Sequence, residues 1–326
     1  MRLLAFLIAI LMSASSAAGE PFRSVHFNVN IKAVPLDSAG RLPPDDWVPT
    51  FSDKPIGERL PFNWSQPYRE VYKQDFEPVT FYNNAIALCN FAKKRPDMHD
   101  AAAKLYGELI RYTATYLDED SGGLWVRNGF DFVQHGETIP APWYGGIMNA
   151  FVATGMLLAE DCFKDPEYSR TIKGLIGAFH VFHEEGEVPP QRWFSYIDAN
   201  GYLWFDEYPK PGGVASRVLN GNIFGLFALA VYADRYKDKA ARALVDANLT
   251  TLKQNIMLFR RPGQINSYDL YKPSHPDYGP NRTIRQQCQL WRLTGDHIFR
   301  GMAYVFMQDI IDSGFEVPDW AASLCN

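Results

Sequence analysis

The sequence predicts a mainly α-helical fold: an incomplete (α/α)4 toroid of helical hairpins, preceded by a short N-terminal arm of β and irregular structure. Two observations predict it. The segments KKRPDMHDAAAKLYGELI, CFKDPEYSRTIKGLI, RYKDKAARALVDANL and RLTGDHIFRGMAYVF follow one plan, in which a helix stops, an aspartate follows and an amphipathic helix begins. The aspartates are Asp97, Asp165, Asp238 and Asp296, and they recur at roughly 60–70 residue intervals, as stacked supersecondary units do. Each unit also has an upstream helix. Two of these are apolar on every side, as in NIFGLFALAVYA, which marks a helix buried all round. Buried inner helices alternating with one-sided outer helices give a toroid.

Taken in order, residues 1–18 read as a secretory signal peptide. Arg2 precedes an apolar run from Leu3 to Met12, and Ser16 and Ala18 hold the small-residue positions of a cleavage site. The expected location is therefore secreted or periplasmic. The run is too short to span a bilayer, and no later stretch approaches about 18 unbroken apolar residues, so no transmembrane helix is expected. Residues 19–78 form the arm, in which SVHFNVNIKAV alternates as short strands do. Residues 79–326 form the toroid domain. Its inner helices are expected over Val79–Lys93, Trp143–Asp161, Ala215–Tyr232 and Thr283–Trp291. Each aspartate is expected to cap the following outer helix by accepting its free N–H groups, and Pro166 suits a first helical position. Ile172, Leu175, Ile176 and Phe179 make the i, i+3, i+4, i+7 stripe of an outer helix.

Composition narrows the function classes. A chain 47% hydrophobic and 21% charged can build a core. A net charge of −5, or −6 once Arg2 is removed, argues against nucleic acid as a partner. It leaves room for a local groove that binds an acidic polysaccharide. The four cysteines, Cys89, Cys162, Cys288 and Cys325, form no C-x-x-C pair, which argues against zinc. In an oxidising compartment they make two disulfides in one of three connectivities, or stay as separate buried thiols. Asn63, Asn248 and Asn281 begin glycosylation sequons. His180 and His183 lie beside Glu184 but flank an apolar stripe and lack the His-Glu-x-x-His order, so no metal is expected. No phosphate-binding glycine loop is present either, and no cofactor is expected.

Long loops tend to carry function. Here they are Asp118–Pro142, Glu184–Val214 and Arg260–Arg282, all rich in Trp, Tyr, Gly and Pro. The second contains WFDEYPKP, two acids among three aromatics. Three motifs stand in order across these loops: Pro142-Trp143-Tyr144; Glu207-Tyr208-Pro209 with Val218-Leu219-Asn220-Gly221; and Ser267-Tyr268-Asp269-Leu270. Together they resemble the C-terminal domain of the D-glucuronyl C5-epimerase family, which converts D-glucuronate to L-iduronate in heparan-type polymers. The resemblance covers roughly residues 120–310. The chain departs from the family pattern at Tyr271, where an arginine suited to a carboxylate is usual, and at Asn149, where a glutamine is usual.

The resemblance implies a cofactor-independent isomerase that removes the weakly acidic C5 proton of a uronate and returns it on the other face. Such chemistry needs an acid and a base within hydrogen-bond reach of opposite ring faces. It also needs donors or cations that take up charge on the substrate carboxylate. Glu207 is the expected base, with Tyr268 or Tyr278 as its partner and Tyr208 in support. Arg217, Arg282 and Arg285 are the candidate carboxylate clamps. Trp143, Tyr144 and Trp204 are the candidate sugar-stacking rings. The rival readings are a uronate lyase, a glycoside hydrolase pairing Glu207 with Asp131 or Asp269, and a non-catalytic glycan-binding module. Under any of these readings the protein could form a homodimer.

Overall fold

The computed structural model describes residues 72–325 other than Asp75. The signal-peptide and arm readings, and the sequon at Asn63, lie outside the described residues. The chain is mainly helical, and four helix pairs dominate it. These are α1 Pro78–Lys94 with α2 His99–Ala114, α3 Gly146–Ala159 with α4 Pro166–Gly177, α5 Leu219–Tyr236 with α6 Lys239–Asn255, and α7 Pro280–Thr294 with α8 His297–Asp312. The first helices of the pairs also pack side by side, α1 on α3, α3 on α5 and α5 on α7. Short α9, Asp319–Ala322, lies against α7. No helix of the described residues is long and apolar enough to cross a membrane.

Helix starts follow the aspartates with one exception. Asp165 accepts from Glu167 N, Asp238 from Ala240 N and Ala241 N, and Asp296 from Ile298 N. Asp97 caps nothing. Pro96 opens a 3-10 turn through Met98, and Arg95 takes the Asp97 carboxylate with two donors. The outer stripe is as periodicity requires: Ile172, Leu175 and Ile176 are buried on α4, with Phe179 just beyond. Each such side chain contributes about 1.5–3 kcal/mol on leaving water. Two inner helices begin later than expected. Trp143 lies outside α3, in an isolated bridge to Asn128, and Arg217 lies before α5 at φ 54°.

The loops hold the strands. The first carries hairpin β1 Leu117–Asp120 with β2 Gly123–Val126, then hairpin β3 Phe132–Gln134 with β4 Glu137–Ile139. The turn of the second hairpin is His135-Gly136, both at positive φ, as a two-residue hairpin turn requires. The second loop carries a three-stranded sheet of β5 Phe182–Glu184, β6 Ser195–Ile197 and β7 Leu203–Phe205, with β5 parallel and β7 antiparallel to the central β6.

An asparagine at the fourth position of an inner helix holds two of the three sheets, β1–β2 and β5–β6–β7. Asn149 of α3 accepts from Val126 N and donates to Leu124 O and Leu175 O. Asn222 of α5 accepts from Phe205 N and exchanges amide bonds with Asn248 of α6, which donates to Leu203 O. Asn248 is therefore a wholly buried brace, and its sequon is closed to a glycan.

The cysteines pair as Cys89–Cys162 and Cys288–Cys325. The first ties the end of α1 to the α3–α4 connection, and the second ties the C-terminal turn to α7. With sequence separations of 73 and 37, loop-closure entropy assigns each about 4 kcal/mol.

Candidate active site

The strand β7 runs out into Asp206 and Glu207, and the backbone there is fixed from both sides. Asp206 N donates to Phe194 O, and Asp206 O accepts from Gly146 N at the start of α3. A side chain at Gly145 would meet Glu207 O at 2.3 Å, so only glycine lets α3 begin this close. The two acids then diverge. Asp206 turns inward, where Oδ1 accepts from Ser216 Oγ and Arg217 N, and Oδ2 accepts from Ser216 N. It thereby clamps the left-handed Arg217 turn that leads into α5. Burial pushes its carboxyl up to about 6, against those three donors.

Glu207 lies against the first turn of α5. A Cβ on Gly221 would come within 2.5 Å of Glu207 Oε2. Helix N-termini favour a carboxylate, but the group is only 4% exposed. Burial dominates and pushes it up to about 7, with Tyr208, Arg282 and Tyr268 opposing the shift. Tyr268, also buried, donates to Glu207 Oε1 at 3.3 Å, and its oxygen lies 3.5 Å from the Tyr208 hydroxyl. Burial and the Glu207 charge hold both phenols well above their ordinary range, so they stay proton donors. Glu207 Oε2 has no hydrogen-bond partner.

Three loops hold the tyrosines. Tyr208 stacks on Phe132 of β3 at 4.8 Å, with Trp143 beside it. The hairpin turn then reaches the third loop: His135 Nε2 lies 2.5 Å from the buried Asp269 Oδ2, one residue from Tyr268. Leu219 N, at the start of α5, donates to Tyr268 O. The Tyr271 hydroxyl donates to Glu137, Lys210 pairs with Glu137 at 2.9 Å, and the Lys210 ammonium sits 3.8 Å over the Tyr271 ring. Tyr271 thus stitches two loops together.

The other candidates divide. Arg282, in the first turn of α7, donates to Asp277 and to the Tyr278 hydroxyl, and its charge acts on Glu207. Tyr278 is 70% exposed, with its ring 5.4 Å from Tyr268 and the Arg282 guanidinium 4.7 Å away. Arg285 instead faces the Trp320 ring at 5.9 Å, toward the C-terminal turn. Arg217 lies 6.0 Å over Trp204, beside the sheet. Trp204 cannot stack on a sugar: it is wholly buried, donates to Asp198 and packs toward Phe259. Trp143 is buried with Phe130 and Ile139, and Tyr144 is buried with its hydroxyl on Asp118 at 2.6 Å. The second acids of a hydrolase are also engaged, Asp269 by His135 and the Lys272 N–H, Asp131 by the Ala141 N–H. His183 donates from Nε2 to Gly213 O and packs against Trp193. Among the described residues no three His, Cys, Asp or Glu side chains gather as a metal group.

Sequence reasoning missed Phe132 and His135 as parts of this assembly, and noticed Asp206 only as the acid beside Glu207. The His-Gly pair between FVQ and ETI was the one local signal that could have exposed the hairpin.

The helical framework thus presents a buried carboxylate hydrogen-bonded to one phenol with a second phenol beside it, an arrangement that can exchange a proton. The chain belongs to the D-glucuronyl C5-epimerase C-terminus family, whose family model matches residues 119–307. No curated protein matches the chain. Among solved structures, a GH76 α-mannanase of Bacteroides thetaiotaomicron is similar at 12% identity and a TM-score of 0.42, covering 75% of this chain and 66% of that one.

Proposed function

We propose that the protein is a uronate C5-epimerase of an acidic polysaccharide, with Glu207 as base. The observation that carries this reading is the Glu207–Tyr268–Tyr208 group, in which a buried carboxylate near neutrality has one oxygen on a phenol and the other unpartnered. Oε2 takes the C5 proton, and the C–H electron pair moves into the substrate carboxylate as an enediolate. Tyr268 stays on Oε1 and stabilises the charged base beforehand. Arg282, whose charge already acts on Glu207, takes up the enediolate charge in this reading. Because Tyr268 is held on Glu207, the proton returned to the opposite face comes from Tyr278, the electron pair returns to C5, and proton exchange with solvent restores the Glu207 carboxylate and the Tyr278 phenol. Membership of the epimerase family and a general base tuned near the working pH support this.

The same reading takes residues 1–18 as a signal peptide, 79–326 as an incomplete toroid domain and the protein as secreted or periplasmic; the two disulfides accord with an oxidising compartment. The test is product analysis by NMR after incubation with glucuronate polymers. Iduronate supports the reading. An unsaturated uronate absorbing in the near ultraviolet makes the protein a lyase, and binding without turnover makes it a glycan-binding module.

A further inference from the structure

Glu207 is 4% exposed and its unpartnered oxygen, Oε2, is buried, so a sugar carbon reaches it only after part of the cover has moved. The cover is held in two ways. Gly145 and Gly221 stand at the starts of α3 and α5, and Arg282 lies in the first turn of α7. Tyr268 O accepts from Leu219 N of α5, and the adjoining Asp269 is bridged to Val218. These groups move only with the helical framework. Tyr208 is covered by Phe132 of the β3–β4 hairpin, and that hairpin stands apart. Its root, Phe130 and Ile139 with Trp143, forms a small cluster separate from the main core.

Beyond that root, among the described residues, no backbone-to-backbone hydrogen bond ties residues 132–139 to another segment. The tip is latched by side chains. His135 meets Asp269, and Gln134 Nε2 donates to the same carboxylate at 3.5 Å. Glu137 accepts from Lys210 and Tyr271, and Lys272 Nζ donates to His135 O at 2.6 Å. The latch is incomplete, because Gln134 Oε1 is buried without a partner. Val133, Gly136, Glu137 and Thr138 are exposed. Ion pairs with an exposed member are weak, and a lone two-stranded hairpin is marginal. A segment held this way opens more readily than the core behind it.

Resting on the epimerase reading for what it admits, we propose that the β3–β4 hairpin is a lid over Glu207, latched at its tip by Glu137 and His135. It swings on the Phe130–Ile139–Trp143 root, carries Phe132 off the Tyr208 ring and uncovers Oε2. Its return sets Phe132 back on Tyr208 and shuts water out of the site, as closing lids do.

The test uses the full-length protein without substrate. A water-soluble carbodiimide and an amine label its carboxyl groups, and peptide mass spectrometry reads the rate at Glu207 and at Asp206. Asp206 is the internal control, being wholly buried and held by Ser216 and Arg217 in the framework rather than under the hairpin. Hydrogen exchange of residues 132–139 and of α5 is followed in parallel. The variants are Glu137→Ala and Lys272→Ala, each of which removes one latch contact. The expected result in both is labelling of Glu207 and exchange of the hairpin roughly tenfold faster, with Asp206 and α5 unchanged. Parent Glu207 labelled as fast as an exposed acid overturns the proposal. So does faster hairpin exchange with Glu207 labelling unchanged, because the hairpin is then not its cover. Hairpin exchange unchanged in both variants, or Asp206 accelerated as much as Glu207, overturns it too. None of these outcomes depends on turnover. A parent that takes up no deuterium at C5 of any glucuronate polymer defeats the epimerase reading and leaves the lid standing.

Discussion

Gly221→Ala tests the site without replacing any group that does chemistry. The added Cβ would lie 2.5 Å from Glu207 Oε2 and 2.8 Å from Glu207 Cβ. Reaching ordinary contact at 3.4 Å obliges Glu207 to retreat by about 0.6–0.9 Å. Rotation of the carboxylate relieves the first contact but not the second, which is made by the root of the side chain. On an unobstructed helix, Gly→Ala gains about 0.5–1 kcal/mol. Overpacking costs about 1–3 kcal/mol, so the net effect is a loss on the order of 1–2 kcal/mol. In a domain of this size that lowers the melting temperature by about 2–8 °C. A base displaced by close to 1 Å costs about a hundredfold in rate. Calorimetric melting and C5 hydrogen exchange read the two effects separately. Glu207→Gly in the same chain removes the obstruction, so the two substitutions should be non-additive in stability by about 1 kcal/mol or more. A Gly221→Ala protein that melts higher and exchanges C5 hydrogen at the normal rate would refute the packing of Glu207 on α5.

Other consequences follow from the same contacts. Because burial raises Glu207 from 4.5 to about 7, the folded state binds its proton more tightly than the unfolded state does, and stability falls as pH rises across that interval, on the order of 3 kcal/mol in all. The melting temperature of Glu207→Gln relative to the parent should therefore climb between pH 4.5 and 7 and level off above; a pH-independent difference contradicts the burial argument. As the base, Glu207 also requires turnover to rise with pH through about 7 and then plateau, and a rate that falls across that range would exclude it as the base. Asp269→Asn weakens the His135 latch beside Tyr268, so kcat should fall about tenfold with KM little changed; a KM effect alone would move Asp269 to substrate binding. Replacing Cys288 and Cys325 by Ser should lower unfolding free energy in urea by about 4 kcal/mol, and a loss under 1 kcal/mol would leave the C-terminal turn without a stabilising role.

The parts of the fold that the sequence displays are those with local causes. Asp165, Asp238 and Asp296 cap because each stands directly before an amphipathic run; Lys253 pairs with Asp296 through Oδ2 and leaves Oδ1 to cap Ile298 N. Asp97 has Arg95 two residues away, and a near cation takes it first. The helical hairpins were legible from periodicity, but their starts were not. Trp143-Tyr144 and Ala215–Arg217 have helix-compatible composition, and only the bridge to Asn128 and the Asp206 clamp keep them extended or left-handed.

Within the site, Glu207 was legible as an acid among aromatics. The fate of those aromatics was not: all three residues of β7 are buried, so the period-2 alternation that separates a sheet's two faces is missing and Trp204 reads like an exposed ring. The His135–Asp269 contact spans 134 residues, and no local pattern encodes it. Tyr271 looked like a lost arginine; its hydroxyl instead joins Glu137 to a loop that Lys210 also anchors.

The most direct measurement is deuterium uptake at C5 of a glucuronate polymer incubated with the protein in heavy water, followed by NMR. The account predicts uptake by the parent, loss of it in Glu207→Gln, and slower appearance of the inverted product in Tyr278→Phe than in the parent. Uptake that persists undiminished in Glu207→Gln would contradict the assignment of the base, and with it the central claim.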